Sequence, residues 1–182
     1  YPFRMKGIRC YSMYGLMGGP FPYGLYYSAG LDLLSAKLKK LGPNIDIRPA
    51  VGWSKWKIIT RDLADTNADT GIVLYGHSMG ANQLFEVAAK SPRKIDLIAA
   101  FDPTFWYPIQ RIGGNVRHVI WFRGTSFFSP FGHGRVRTKA DFQGKFEKYN
   151  VRVRHERIDD QKDLHSIIIR AVQMLMTQET LK

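Results

Sequence analysis

Short apolar runs bounded by glycine, proline or polar residues recur along this chain and predict β-strands. The run at 95–101 is apolar almost throughout, which is typical of a strand buried on both faces. The stretch 151–158 alternates apolar with charged residues and predicts an edge strand with one solvated face. In chain order, the predicted strands are 8–14, 45–49, 71–75, 95–101, 116–122 and 151–158.

Between these runs, apolar residues return every three or four positions, which is the spacing of one helix face. Gly42 and Pro43 end the first such segment, and Pro92 follows the segment at 81–90. The stripe of the first helix is Leu31, Leu34, Leu38 and Leu41, and that of the last helix is Leu164, Ile168, Ala171 and Leu175. Two further helices are predicted at 54–67 and 81–90.

Strands that alternate with helices predict an α/β fold, a three-layer sandwich with a mostly parallel central sheet and helices on both faces. The chain has 182 residues, which suits one domain with a sizeable core. No repeat or linker interrupts it, so we expect a single domain over 1–182. The stretch 123–150 is rich in glycine, phenylalanine and basic residues and is predicted to be irregular.

Composition adds little about the compartment. Hydrophobic residues make up 45% of the chain without an apolar run of membrane-spanning length, so we expect a soluble globular protein. Cys10 is the single cysteine and excludes an internal disulfide. The chain begins with Tyr1 rather than methionine, so we expect that an upstream segment, which could include a signal peptide, has been removed.

The charge balance is strongly basic, with 27 Lys and Arg against 15 Asp and Glu and a formal net charge of +12. Such an excess favours anionic partners, a membrane or polysaccharide surface among them, although it can also serve solubility alone. The sequence has no zinc-finger spacing, no RNA-binding aromatic motif and no basic heptad region. Nucleic acid is therefore not the partner that we expect.

The pentapeptide Gly-His-Ser-Met-Gly at 76–80 carries the clearest chemistry. It joins a predicted strand to a predicted helix, and glycines on either side of a serine permit the sharp turn that exposes the Ser78 hydroxyl. A serine becomes a nucleophile only when a base takes its proton and a third group orients that base. In a parallel sheet the carboxyl ends of all strands lie along one edge, so the base and the group that orients it are expected to follow other strands.

His165 is the predicted base, because it follows the last predicted strand and opens the last helix. His133, in the glycine-rich loop, is the alternative. His77 points away from the position of a base, so packing is the role predicted for it. His118 and His155 fall inside predicted strands and are interpreted as structural or solvent-facing.

Asp102 is the predicted acid, because it ends the apolar strand at 95–101 directly. Asp159 and Asp160 are the alternatives, although both could instead cap the last helix. The oxyanion needs two N–H donors. The N–H of Met79 is one predicted donor, and a glycine-rich turn after the first strand supplies the other from Leu16, with Met17 as second choice.

These features together resemble the α/β-hydrolase superfamily over nearly the whole chain. The resemblance rests on the pentapeptide after a strand, the Gly-Leu-x-Gly-Gly turn at 15–19, and the chain order of Ser78, Asp102 and His165. It implies a minimal lipase-, esterase- or thioesterase-like serine hydrolase without a large cap. It implies no metal or cofactor.

Aromatic residues crowd the loops predicted at the reactive edge and suggest an apolar substrate pocket, although several could simply close the core. The predicted substrate-binding residues are Met17, Phe105, Trp106, Phe128 and His133. From 123 to 157 there are nine Lys or Arg and three Asp or Glu, which suits an ester bearing phosphate or carboxylate, or an anionic surface that carries the substrate, although such a charge run can also be only a solvated face. We predict an ester hydrolase acting on a small-molecule or lipid ester. A thioesterase and a non-catalytic binding protein on the same scaffold are the alternatives.

Overall fold

The computed structural model describes residues 5–16, 18, 28–126 and 131–177. Its strands are β1 (Gly7–Tyr14), β2 (Ile45–Ile47), β3 (Val51–Gly52), β4 (Thr70–His77), β5 (Leu97–Phe101), β6 (Gln110–Ile112), β7 (His118–Gly124), β8 (Val136–Thr138) and β9 (Lys145–Val151). Its α-helices are α1 (Ala29–Lys39), α2 (Trp56–Ala64), α3 (Met79–Lys90) and α4 (Lys162–Thr177). Short 3-10 helices occupy Trp53–Lys55 and His155–Arg157.

The main sheet has the strand order β2-β1-β4-β5-β7-β9, with β3 also paired to β1. Every strand pairing within the described residues is parallel. β6 and β8 form a separate two-stranded parallel sheet. In such a sheet the carboxyl ends of all strands lie along one edge, so residues that follow β4, β5 and β9 can meet there.

Two apolar cores cover the two faces of the main sheet. Along β4, Ile72 and Leu74 belong to the core that includes α2 and α3. Val73 and Tyr75 belong to the core that includes α1 and α4. Successive strand residues point to opposite faces, so both faces of β4 are buried. The predicted three-layer α/β architecture is therefore confirmed.

The predicted helices lie close to their observed positions. Helix α1 covers most of the predicted 31–41, and the segment 54–67 is divided between a 3-10 turn and α2. None of the described helices has the length and apolar character needed to cross a membrane.

The edge strand is displaced from its predicted position. The sequence pattern predicts a strand at 151–158, whereas the strand that pairs with β7 is β9, inside the stretch predicted to be irregular. After Val151 the chain leaves the sheet, and 155–157 form a 3-10 helix. The reason is that β9 lies at the edge, where no residue is fully buried, so its apolar pattern is weak.

Candidate functional site

Ser78 lies in a strained turn between β4 and α3. Its φ of 59° and ψ of −128° are unusual for a residue with a side chain. A Cβ added at Gly80 would lie 2.2 Å from the carbonyl oxygen of Met13, so only glycine fits there. The Ser78 N–H donates to the carbonyl of Phe101 at 2.9 Å, which holds the turn against the end of β5.

Three side chains form a buried hydrogen-bonded chain at the carboxyl edge of the sheet. His155 Nε2 lies 2.8 Å from Ser78 Oγ, and His155 Nδ1 lies 2.9 Å from Asp102 Oδ2. An ionised carboxylate can only accept, so the geometry fits an Nδ1–H that donates to Asp102 and an Nε2 that accepts from the Ser78 hydroxyl. This is the tautomer that can take a proton from serine.

Asp102 is held in place by the backbone around it. The residue follows β5 directly, as predicted, with a positive φ of 43° and no exposed surface. Its Oδ1 accepts from the N–H of Gly124 at 3.0 Å and from that of His133 at 3.3 Å. A Cβ at Gly132 would lie 1.9 Å from Asp102 Oδ2, so a bare backbone is needed there. Its other oxygen is thereby directed to His155.

The prediction that His165 faces Ser78 is wrong. His165 is fully buried on α4, where its Nε2 donates to the carbonyl of Asp159 at 2.5 Å and its Nδ1 accepts from Lys37 Nζ at 2.9 Å. Burial lowers the pKa of its imidazole. Both ring nitrogens are thus engaged between α1 and α4.

His155 is the residue that sequence reasoning missed. The interpretation of 151–158 as a strand made it a structural or solvent-facing position, whereas the 3-10 helix after β9 directs its ring to Ser78. A signal was present in the pattern. Val151 and Val153 stand at odd-numbered positions, whereas the next aliphatic residue, Ile158, stands at an even-numbered one. In a continuous strand these side chains would point to opposite faces of the sheet, so the shift indicates that the strand has ended.

His77 packs behind the site, as predicted, and also contacts it. Burial and the neighbouring His155 lower its pKa to about 3, so the imidazole is neutral. Its Nε2 donates to the backbone carbonyl of His155 at 2.8 Å, and its Nδ1 therefore accepts from the Ser28 hydroxyl at 2.8 Å. His77 thus ties α1 to the turn that carries His155.

The two alternative acids lie elsewhere. Asp160 forms an ion pair with Arg157 on the surface. Asp159 is fully buried, and desolvation with the nearby Asp160 raises its pKa to about 7. Its carboxyl oxygens have no hydrogen-bond partner among the described residues. His133, the alternative base, contributes its backbone N–H to Asp102, and its side chain lines a cavity.

Two backbone segments adjoin the Ser78 hydroxyl. Met79 begins α3, where N–H groups have no acceptor within the helix. On the other side, a Cβ at Gly15 would lie 2.7 Å from Ser78 Cβ and 3.2 Å from Ser78 Oγ. The strand exit that continues to Leu16 therefore lies against the serine. Met17 falls outside the described residues.

Exposed aromatic residues lie on one side of the site. Phe105 and Trp106 are each about half exposed, and their rings lie 5.1 Å apart. Trp106 contacts Phe131 at 5.5 Å, and the Phe131 ring is 6.4 Å from that of His155. Phe128 falls outside the described residues. The structure thus brings Phe131 close to the imidazole of His155.

No protein-family model and no curated protein sequence matches the chain. The chain is similar to solved structures. A hydrolase assigned to the alpha/beta superfamily from Xanthomonas campestris pv. campestris is similar, with a TM-score of 0.55, 12% identity and coverage of 93% of this chain and 98% of that one. ClbQ from the colibactin NRPS/PKS pathway is similar with a TM-score of 0.58, 9% identity and coverage of 93% and 98%. These likenesses show that the chain has the α/β-hydrolase fold.

Proposed function

We propose that this chain with the α/β-hydrolase fold is a serine hydrolase that cleaves carboxylic esters through an acyl-enzyme. One observation carries the proposal. Ser78, His155 and Asp102 form an unbroken hydrogen-bonded chain, with links of 2.8 and 2.9 Å, at the edge where the strands end. His155 replaces His165 in the role that the sequence suggested.

In the proposed reaction, Ser78 Oγ attacks the ester carbonyl carbon while His155 Nε2 takes the hydroxyl proton. Asp102 stabilises the imidazolium and keeps it oriented. When the tetrahedral intermediate collapses, the C–O bond to the alcohol breaks and His155 returns the proton to the leaving oxygen. Water, activated by the same imidazole, then attacks the acyl-enzyme and releases the acid and Ser78.

The negative charge that develops on the attacked oxygen needs preorganised donors. We propose the N–H groups of Met79 and Leu16. The position of Met79 at the N-terminus of α3 supports the first, because that end of a helix attracts negative charge. The contact between Gly15 and Ser78 supports the second, because it places the following peptide unit beside the nucleophile.

An apolar acyl or alcohol group suits the surroundings. The exposed rings of Phe105, Trp106 and Phe131 form a contiguous aromatic set, and Phe131 adjoins His155. Such a surface favours contact with apolar ligand groups. We therefore propose a small-molecule or lipid ester as the substrate.

The test compares Ser78→Ala with the unmodified chain on p-nitrophenyl esters and with a fluorophosphonate probe that labels activated serines. We expect Ser78→Ala to lose turnover and labelling together. The matched control is Ser54→Ala, because Ser54 is exposed in the 3-10 helix before α2. We expect this variant to behave like the unmodified chain. Retained labelling in Ser78→Ala would show that another residue is the nucleophile.

Substrate profiling separates the related activities. Matched esters and thioesters of the same acyl chain distinguish an esterase from a thioesterase. If the unmodified chain neither labels nor turns over any of them, the hydrolase proposal fails and a binding function on this scaffold is favoured.

A further inference from the structure

A cavity of about 710 Å³ lies beside the candidate site. Trp121 and Arg123 of β7 and Lys148 of β9 form part of its lining. The segment before β8 contributes His133 and Arg135, and the loop after β5 contributes Phe105. A cavity of this volume is large enough for a small organic molecule.

The charged residues on the described part of its lining are all basic. Arg123, Arg135 and Lys148 are basic, and the described residues that line the cavity include neither Asp nor Glu. Elsewhere the basic side chains often have carboxylate partners, such as Asp96 for Arg117 and Glu147 for Lys145. Within the described part of the chain, the three cavity cations form no ion pair with any carboxylate. Their positive potential is therefore available to a ligand.

Lys148 is held against the cavity wall. Its Nζ lies 4.7 Å from the centroid of the Trp121 ring, a cation–π contact that restrains the ammonium group. Arg123 lies on β7, the strand next to the one that carries Lys148. It comes two residues after Trp121, so the two side chains lie on the same face of the sheet. Lysine and arginine residues that line one cavity are suited to a carboxylate or phosphate.

The cavity is joined to the candidate site through Asp102. His133 lines the cavity, and its backbone N–H donates to Asp102 Oδ1. Gly124, the residue after Arg123, donates to the same oxygen. One lining residue, His133, and the residue next to another, Gly124, therefore both bind the carboxylate that holds His155. A ligand group in the cavity lies next to the reactive edge and can belong to the molecule that Ser78 attacks.

We propose that this cavity binds an anionic group, a carboxylate or a phosphate, carried by the ester substrate. This inference rests on the proposed hydrolase function and narrows its substrate class to anionic esters. The positive charges raise the affinity for the anionic group, while Phe105 contacts the apolar remainder of the substrate. The cavity thus selects the substrate, and Ser78 performs the reaction.

The test uses two substrates with the same acyl chain length, mono-p-nitrophenyl glutarate, which ends in a carboxylate, and neutral p-nitrophenyl pentanoate. The measured quantity is the ratio of their kcat/KM values. We expect the unmodified chain to prefer the glutarate ester, and Arg135→Gln and Lys148→Gln each to lower the ratio by about tenfold, the effect of one charge-assisted contact. Arg61→Gln, on the exposed surface of α2, is the matched control and should leave the ratio unchanged.

Inhibition of glutarate-ester turnover by inorganic phosphate and by acetate distinguishes the two anion types. Stronger inhibition by phosphate assigns a phosphate-bearing substrate, and stronger inhibition by acetate assigns a carboxylate-bearing one. A ratio that does not favour the anionic ester, or that the two cavity variants leave unchanged, would overturn the inference. Circular dichroism verifies that each variant is folded.

A failure of the hydrolase function gives a different result. In that case neither ester is turned over and the fluorophosphonate probe does not label Ser78. The anion site is then judged by titration calorimetry with inorganic phosphate. Binding that is weakened in Arg135→Gln and retained in Arg61→Gln would support the site, and an absence of binding heat would overturn it.

Discussion

His77 donates a hydrogen bond from Nε2 to the backbone carbonyl of His155 at 2.8 Å, and the two rings lie 4.7 Å apart. The residue before the nucleophile thus holds the backbone of the proposed base. Since burial lowers the pKa of His77 to about 3, it stays a neutral donor over the working range of a hydrolase. The contact connects the turn at Ser78 with the 3-10 helix that follows β9.

We expect His77→Ala to lower kcat on p-nitrophenyl esters by about 10- to 100-fold, because a displaced base loses proximity to Ser78. KM should change little. Glutamine can place its amide nitrogen near the position of Nε2, so His77→Gln should recover part of the lost kcat. Equal kcat in the alanine and glutamine variants would contradict a positioning role for this hydrogen bond.

Replacement of the two histidines that follow β9 separates the observed geometry from the sequence prediction. We expect His155→Ala to lower kcat by at least about 10⁴-fold, because Ser78 then has no base. His165→Gln should keep fluorophosphonate labelling, because glutamine can still donate to the carbonyl of Asp159. Loss of labelling in the second variant with retention in the first would reverse the assignment.

We expect Asp102→Asn to lower kcat on the order of 10⁴-fold by reversing the tautomer of His155. Two backbone N–H groups point at Oδ1, so the amide oxygen must take that position and the NH₂ group must face His155 Nδ1. The proton then lies on Nε2, which can no longer accept from Ser78. Asp160→Asn is the control, and its kcat should be close to that of the unmodified chain.

Asp159 predicts a pH dependence of stability. Its pKa is raised from 3.8 to about 7 in the folded chain, mainly by desolvation. The folded state therefore favours the protonated carboxyl. The stabilisation that the protonated Asp159 carboxyl gives to the folded state is complete below pH 3.8 and is lost as the pH rises through about 7. The loss is about 1.4 kcal/mol per pH unit between those values.

The measurement is urea unfolding of the unmodified chain, Asp159→Asn and the exposed control Asp65→Asn across this range. Asparagine resembles the protonated carboxyl, so we expect Asp159→Asn to become more stable than the unmodified chain as the pH rises. A stability difference that does not vary with pH would show that Asp159 is not protonated in the fold. The Asp65→Asn curve should parallel that of the unmodified chain.

The α/β architecture was predictable because its main determinants are local in sequence. Central strands such as 95–101 are buried on both faces and are therefore apolar almost throughout. The position of Ser78 was equally predictable, because the turn between β4 and α3 needs glycine near Met13. The position of Asp102 at the same sheet edge was predictable because it follows a buried strand without an intervening residue.

The sequence by itself determined the layers, the serine turn and the aspartate, since each depends on patterns within a few neighbouring residues. The tertiary structure alone decided which histidine meets Ser78. Pairing with β7 places Lys145 opposite His118 and Val151 opposite Gly124, so the last strand ends at Val151 and His155 follows at the carboxyl edge. An edge strand is half exposed, and its limits depend on hydrogen bonds to a distant partner that its own apolar pattern does not encode.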